Sequence, residues 1–480
     1  MSKAKNIILA ALFLALAFLP VCGFCAAGNY SDLLERFPPE DFARMMDYDE
    51  SSARPPAAAE LDALGKAAKA GNADAQFVLG ACHYIGFGVR CDFQKAAMLF
   101  GQSAFGGGAY GQFGLGVCLY EGRGVGRNLR LARSCFKRAA AAGIASGMNA
   151  LGVCFYKGDG GAKDFAAAAL LFSDASKKGS NRAKVALARA HLEGFGVDKD
   201  AAKSLELLRE SAEKNAVAQN NLGIFYLKGF LGKPDPFSAA ACFERAARNG
   251  YPAAQTAIGM AYLQGNGVVA NVEEGVSWLR KAAENEDAEA QNNLGVCYQN
   301  GIGVQMSASD AFNWYKKSAL QGYAEAQNNL GECFFNGTGC DADMAEAVRW
   351  YRRAAFQGNI SARSNLGYCY LEGQGIGKSA ADAIKWLKLA ADAGDVSAQS
   401  NLGTCLINGV GVGQNASEAV KYLKLAADAG DAQAQGNLGA CYYNGVGVEQ
   451  DKQKGFALIK KAADNGNAEA RSALVRIRGK

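Results

Sequence analysis

An all-α solenoid of about eleven 36-residue helix-turn-helix repeats is the fold this sequence predicts, and three observations predict it. A Leu-Gly pair recurs at Leu79, Leu115, Leu151, Leu222, Leu294, Leu330, Leu366, Leu402 and Leu438, with Leu187-Ala188, Ile258-Gly259 and Leu474-Val475 filling the gaps. Apolar and small residues keep helical spacing around every pair. Turn-forming glycines and helix N-cap residues stand at constant offsets from it. Each interval is 36 residues except the one from Leu187 to Leu222, which is 35. One such unit cannot bury its own apolar face, so the core must come from stacking neighbours.

The elements follow in chain order. Lys3 and Lys5 precede an apolar run from Ile7 to Leu19, Pro20 ends it, and Cys25-Ala26-Ala27 supplies small residues for a cut after Ala27. This is the pattern of a bacterial secretory signal over residues 1–27. Val21 and Phe24 precede Cys22 and Cys25, which disfavours lipid attachment. Residues 28–57 carry seven Asp or Glu against three Arg, together with Pro38-Pro39 and Pro55-Pro56, and read as an acidic linker or a cap on the first repeat. The repeat array occupies 58–480.

Within a unit, the first helix carries Ala-Gln before the Leu-Gly pair and an aromatic after it, as in Ala290-Gln291-Asn292-Asn293-Leu294-Gly295-Val296-Cys297-Tyr298. A Gly-x-Gly-Val turn closes it, for example Gly301-Ile302-Gly303-Val304. Thirteen residues after the Leu comes an N-cap type in all eleven units: Asp92, Asn128, Asp164, Asp200, Asp235, Asn271, Ser307, Asp343, Ser379, Asn415 and Asp451. The second helix follows, small at Ala311 or Ala347 and bulky at Trp278, Trp314, Trp350 and Trp386, which are all four tryptophans of the chain. The unit after Leu222 departs from the rule, since Leu231 replaces the second turn glycine and Pro234 and Pro236 enter. A bend between Leu222 and Asn249 is suggested there.

Set out in this way, the units resemble Sel-one-like repeats, relatives of tetratricopeptide repeats, from about Asn72 to the C-terminus. The resemblance implies a right-handed superhelix of antiparallel helix pairs serving as an adaptor for proteins or peptides. With the N-terminal signal, the chain reads as a bacterial, exported member of that family, periplasmic or secreted.

Composition narrows the classes further. A net charge of +5 over 480 residues is too mild for a nucleic-acid footprint. No apolar run beyond the signal is long enough to span a bilayer. Eight cysteines stand three residues after the Leu, at Cys82, Cys118, Cys154, Cys297, Cys333, Cys369, Cys405 and Cys441. Equivalent positions in stacked helices lie about 8–10 Å apart, too far for a disulfide, so this ladder reads as small buried packing residues. Positions three and twenty after the Leu are equally far from the turn and face one another. Most units oppose Cys to a bulky residue there, but the unit at Leu115 opposes Cys118 to Cys135, and this pair is the expected disulfide. Cys333 with Cys340 and Cys82 with Cys91 are second choices. The disulfide scheme of the family's secreted cysteine-rich branch does not carry over, because its positions hold residues such as Ala283 and Gln291.

No metal site or cofactor is expected. No Cys-x-x-Cys pair remains after processing, and His83 and His191 occupy the aromatic position. Ser134 with Lys137 and Ser211 with Lys214 match a Ser-x-x-Lys spacing, but both lie late in second helices and lack the further motifs of that chemistry. The chain is therefore read as no enzyme, with a hydrolase acting on cell-wall or β-lactam-type substrates as the alternative.

The functional signal is a ladder of amides. Asn221, Asn293, Asn329, Asn365, Asn401 and Asn437 precede the Leu, and Asn300, Asn336, Asn408 and Asn444 follow seven residues after the same position. Seven residues are about two turns, so both rows share one helix face. By resemblance to tetratricopeptide repeats that face is the concave groove, and Asn there offers donor and acceptor to the main chain of an extended peptide. The same pattern suits amides that bond neighbouring repeats. The expectation is a monomeric scaffold binding a protein or peptide of the cell envelope, with no nucleic-acid partner and no membrane span.

Overall fold

The computed structural model describes residues 42–43, 55–213 and 215–478. These contain twenty-four helices, from Ala58–Lys69 to Ala468–Arg478, and no strand. The predicted signal, residues 1–27, lies outside the described residues. Of the predicted linker, the structure describes Phe42, Ala43 and the stretch from Pro55. Among the described residues no helix is long and apolar enough to cross a membrane.

The turn chemistry is realised in every repeat. All eleven predicted N-cap residues cap the second helix, each accepting a backbone N–H three residues on; Asn271 accepts from Glu274 at 3.1 Å and Asp343 from Glu346 at 2.9 Å. The N–H of the same residue donates back to the first helix, from Ser307 to the Tyr298 carbonyl at 2.9 Å and from Asp343 to Phe334 at 2.8 Å. Gly301 and Gly303, at φ 68° and 64°, supply the left-handed backbone that reverses the chain between the helices. In the irregular unit, Ala216–Lys228 and Pro236–Arg248 still form, with Asp235 capping and Pro236 in the first turn, where no N–H is needed. The departure stays in the turn, where Gly232 takes φ 155°.

By internal contacts the chain forms two compact units, 1–254 and 255–480. Inside each unit consecutive helices pack as antiparallel hairpins, and neighbouring first helices also touch. Ala73–Ile85 meets Ala109–Glu121 in the N-terminal unit, and Ile360–Glu372 meets Val396–Asn408 in the C-terminal unit. The first helices thereby form a shared face.

The Leu-Gly pair is explained by packing. Leu294, Leu330 and Leu366 are fully buried. Gly295 lies inside a helix against the Tyr315 ring, and a Cβ on it would stand 2.6 Å from that ring. The bulky residue twenty-one after the Leu therefore requires the glycine. The tryptophan one residue earlier packs beside the cysteine position, since Cys333 shares a buried cluster with Trp350 and Cys369 with Trp386. Cations cover these indoles, with Lys281 at 4.2 Å from Trp278 and Arg353 at 4.3 Å from Trp350.

Candidate functional site

Four positions of each first helix, spaced by four, three and four residues, fall on one stripe of its surface. In the C-terminal unit this stripe holds Glu289, Asn293, Val296 and Asn300 on Ala288–Asn300, then Glu325, Asn329, Glu332 and Asn336 on Ala324–Asn336. It continues with Ser361, Asn365, Tyr368 and Glu372 on Ile360–Glu372.

The ten predicted asparagines divide into three groups by what they bond. Asn329 Nδ2 donates to Asn292 Oδ1 at 2.9 Å, Asn365 Nδ2 to Asn328 Oδ1 at 3.1 Å, and Asn437 Nδ2 to Thr404 Oγ1 at 2.9 Å, so these three link neighbouring repeats. Asn221 and Asn300 turn back on their own helices, to the Val217 carbonyl at 2.8 Å and the Val296 carbonyl at 3.0 Å. Asn293 and Asn401 are half-buried without a bond to the next repeat, and Asn336, Asn408 and Asn444 are exposed at helix ends. The amide ladder is thus partly a structural tie and partly open.

Its polarity is set by one carboxylate. Glu332 accepts from Asn328 Nδ2 at 2.8 Å, and because a carboxylate only accepts, the Asn328 amide must present Oδ1 to Asn365. Asn365 then donates inward and turns its own Oδ1 away. Asn329 does likewise against Asn292, whose Nδ2 faces Asn293 Oδ1 at 3.4 Å. Nearby, desolvation first and then the charges of Asp287 and Glu325 push the Glu289 carboxyl above its ordinary range.

A deeper ladder went unrecognised in the sequence, although the Ala-Gln dipeptide displayed it. Gln291 donates to the Ala283 carbonyl at 3.1 Å and accepts from Gln321 at 2.9 Å; Gln327 does the same with Ala319 and Gln357 at 3.3 and 2.8 Å. Gln219 with Asn249 and Gln435 with Asn465 repeat it at 3.1 and 2.9 Å. Gln291 and Gln327 thus bolt the two ends of their own repeat together and to a carbonyl of the preceding repeat, and the signal was an amide thirty residues later.

The first-helix stripe of the N-terminal unit is different. Val78, Gly114, Ala150 and Ala186 stand where the C-terminal unit has asparagines from Asn293 onward, and Asn221 is the one asparagine of the row in this unit. Val78 and Ala81 are fully buried in the same cluster as Phe42 and Ala43, with Phe42 meeting Phe87 edge-on at 6.1 Å. Polar links here are phenol to carboxylate, from Tyr84 to Glu121, from Tyr120 to Asp159 at 2.6 Å and from Tyr156 to Glu193 at 2.9 Å.

The eight cysteines of the ladder are buried free thiols. Burial pushes Cys82, Cys118 and Cys333 up to about 12, which keeps them protonated and unreactive at neutral pH. Cys135 is half-buried, and it and Cys118 are both free in this structure. Cys340 and Cys91 are also free and donate to the carbonyls of Cys333 at 3.6 Å and Tyr84 at 3.3 Å. His83 and His191 approach turn carbonyls seven residues on, Arg90 at 3.4 Å and Asp198 at 3.2 Å, so both tie the turn. Ser211 donates to Leu207 of its own helix at 2.7 Å, and Ser134 is exposed. Among the described residues no group of three His, Cys, Asp or Glu is placed to hold a metal ion.

Comparison with known proteins agrees with the repeat geometry. The Sel1 repeat model matches residues 73–104, 109–144, 145–180, 182–215, 216–251, 252–287, 288–323, 324–359, 360–395, 396–431 and 432–467. Among solved structures, the chain is similar to a protective antigen present in uropathogenic Escherichia coli strains and displaying an SLR fold. The two are 29% identical over 87% of this chain and 90% of that one, with a TM-score of 0.56. It is also similar to a Sel1 repeat protein from Oxalobacter formigenes, 32% identical over 51% of this chain and 96% of that one, with a TM-score of 0.46. None of the curated proteins matches it. With eleven matched repeats over residues 73–467, this chain belongs to the Sel1 repeat family.

Proposed function

We propose that the protein is an exported, monomeric scaffold that binds an extended segment of another cell-envelope protein along the first-helix face of its C-terminal unit. The single observation that carries this reading is the half-open amide row, in which Asn293, Asn329, Asn365 and Asn401 line one stripe, Asn329 and Asn365 bond the neighbouring repeat through Nδ2 alone, and Asn293 and Asn401 donate to no neighbouring repeat. An extended main chain presents N–H and C=O in alternation and is matched by such groups. Lys3, Lys5, the apolar run and Cys25-Ala26-Ala27 support export with cleavage after Ala27.

The test is capture of a partner from cell-envelope extract by the processed chain. Replacing all four asparagines by Ala is expected to abolish capture. Asn329 and Asn365 also bond the preceding repeat, so that variant loses some stability as well. Asn293→Ala with Asn401→Ala separates the two effects, because neither donates across repeats; it should weaken capture while leaving the melting curve unchanged. Capture that survives the fourfold replacement removes this face as the site.

A further inference from the structure

Resting on the reading above, we propose that the segment received by this face is cationic, an extended stretch carrying Lys or Arg. The first support is the direction of the amides. Glu332 fixes Asn328, Asn328 fixes Asn365, and Asn292 holds Asn329, so the two central asparagines offer carbonyl oxygens outward and call for donors. Lys and Arg side chains only donate.

The second support is the charge of the stripe. From Ala288 to Asn444, its charged members are Glu289, Glu325, Glu332 and Glu372, and none is basic. The one basic residue on these first helices, Arg363, sits off the stripe and donates to the Ala355 carbonyl at 3.2 Å. The basic residues of the unit concentrate on second helices, where Lys281, Lys317 and Arg353 lie over tryptophans and Arg349 pairs with Glu346 at 2.9 Å. A chain of net positive charge thus keeps a carboxylate-only strip beside its outward amide oxygens. Glu325 and Glu332 are seven residues apart, two turns on one helix face with Asn329 between them, so a donor bound at Asn329 Oδ1 lies between two carboxylates. A cation there is favoured, and an acidic segment is repelled.

Selection of random twelve-residue peptides displayed on phage against the full processed chain tests this directly. Enriched sequences are expected to be rich in Lys and Arg. A synthetic peptide of the leading sequence should bind about tenfold more weakly to E289Q/E325Q/E372Q, three substitutions at glutamates that take no part in the amide row. Its affinity for the unaltered protein should fall as salt is raised, with a flatter dependence for the variant. E332Q keeps an acceptor for Asn328 and should give a smaller loss of the same kind. Enrichment of neutral or acidic peptides whose binding still requires Asn293 and Asn401 overturns the cationic partner and leaves the peptide-binding face intact. Basic peptides that bind E289Q/E325Q/E372Q within twofold of the unaltered protein also overturn it. If no enriched peptide depends on Asn293 and Asn401, both readings fall.

Discussion

The two units share one skeleton and differ in their polar fittings. In each, a buried Leu, a glycine against a large side chain and a capped second helix recur at the same offsets. Gly152 meets Phe172 as Gly295 meets Tyr315, with a Cβ 2.6 Å from the ring in both cases. The fittings diverge. In the C-terminal unit Gln291, Gln327 and Gln435 have amide partners thirty residues on, while Gln399 faces Ala429. In the N-terminal unit Gln219 has such a partner, while Gln76 and Gln112 face Gly106 and Ala142, with their Oε1 atoms buried and without a hydrogen-bond partner. Met148 takes the glutamine's place altogether. Apolar packing therefore defines the repeat, and the polar ties are additions that vary between repeats and leave a penalty where they are incomplete.

If packing is the common skeleton, Gly295→Ala and Gly152→Ala should destabilise their own units equally, by about 2 kcal/mol each, because an added methyl must displace a buried ring. All four tryptophans lie in the C-terminal unit, so denaturant unfolding followed by their fluorescence reports that unit, and helical circular dichroism reports both. Unequal losses would break the claim of a shared skeleton. Tyr315→Leu should recover part of the Gly295→Ala loss, as the smaller pair Ala188 and Leu208 occurs naturally at the same positions.

A comparable effect is expected from Gln327→Met. This removes the second donor of the Ala319 carbonyl, which keeps the Gly322 N–H, and leaves the Gln357 amide without its acceptor, and should cost about 1–2 kcal/mol in the fluorescence-detected transition. A loss near zero would mean that the glutamine bolts are as dispensable in the C-terminal unit as Met148 shows them to be in the N-terminal one.

The smallest change is a gain. Ala142, at φ −79° and ψ 2°, has nearly the backbone of Asn249 at −79° and 10°, the residue that completes the bolt to Gln219. Ala142→Asn should supply the missing donor to Gln112 and stabilise the N-terminal unit by about 1 kcal/mol, seen as a later dichroism transition with unchanged fluorescence.

Much of this was legible from local rules. The caps at Asp92 through Asp451 needed only an oxygen-bearing side chain at a fixed offset, and the left-handed glycines only a residue without a Cβ. The pairing of Gln291 with Gln321 was not legible, because thirty residues of separation carry no local signature and an Ala-Gln dipeptide looks like any helix N-terminus. For the same reason the sequence left the asparagine row undecided between tie and site. Asn329 and Asn437 bond the preceding repeat through Nδ2, whereas Asn293 and Asn401 donate to no neighbouring repeat.

By itself, then, the sequence determined the period, the helix pairs, their caps and turns, and the buried cysteine ladder, since each depends on contacts within one unit or on strict repetition between units. Tertiary structure alone decided which amides bond across repeats, that Phe42 joins the buried apolar cluster of the N-terminal unit, and that Glu332 orients the Asn328 and Asn365 amides of the C-terminal face. Those outcomes depend on side chains from different repeats meeting at hydrogen-bonding distance, and a hydrogen bond's direction is set by its partner rather than by the residue that carries it.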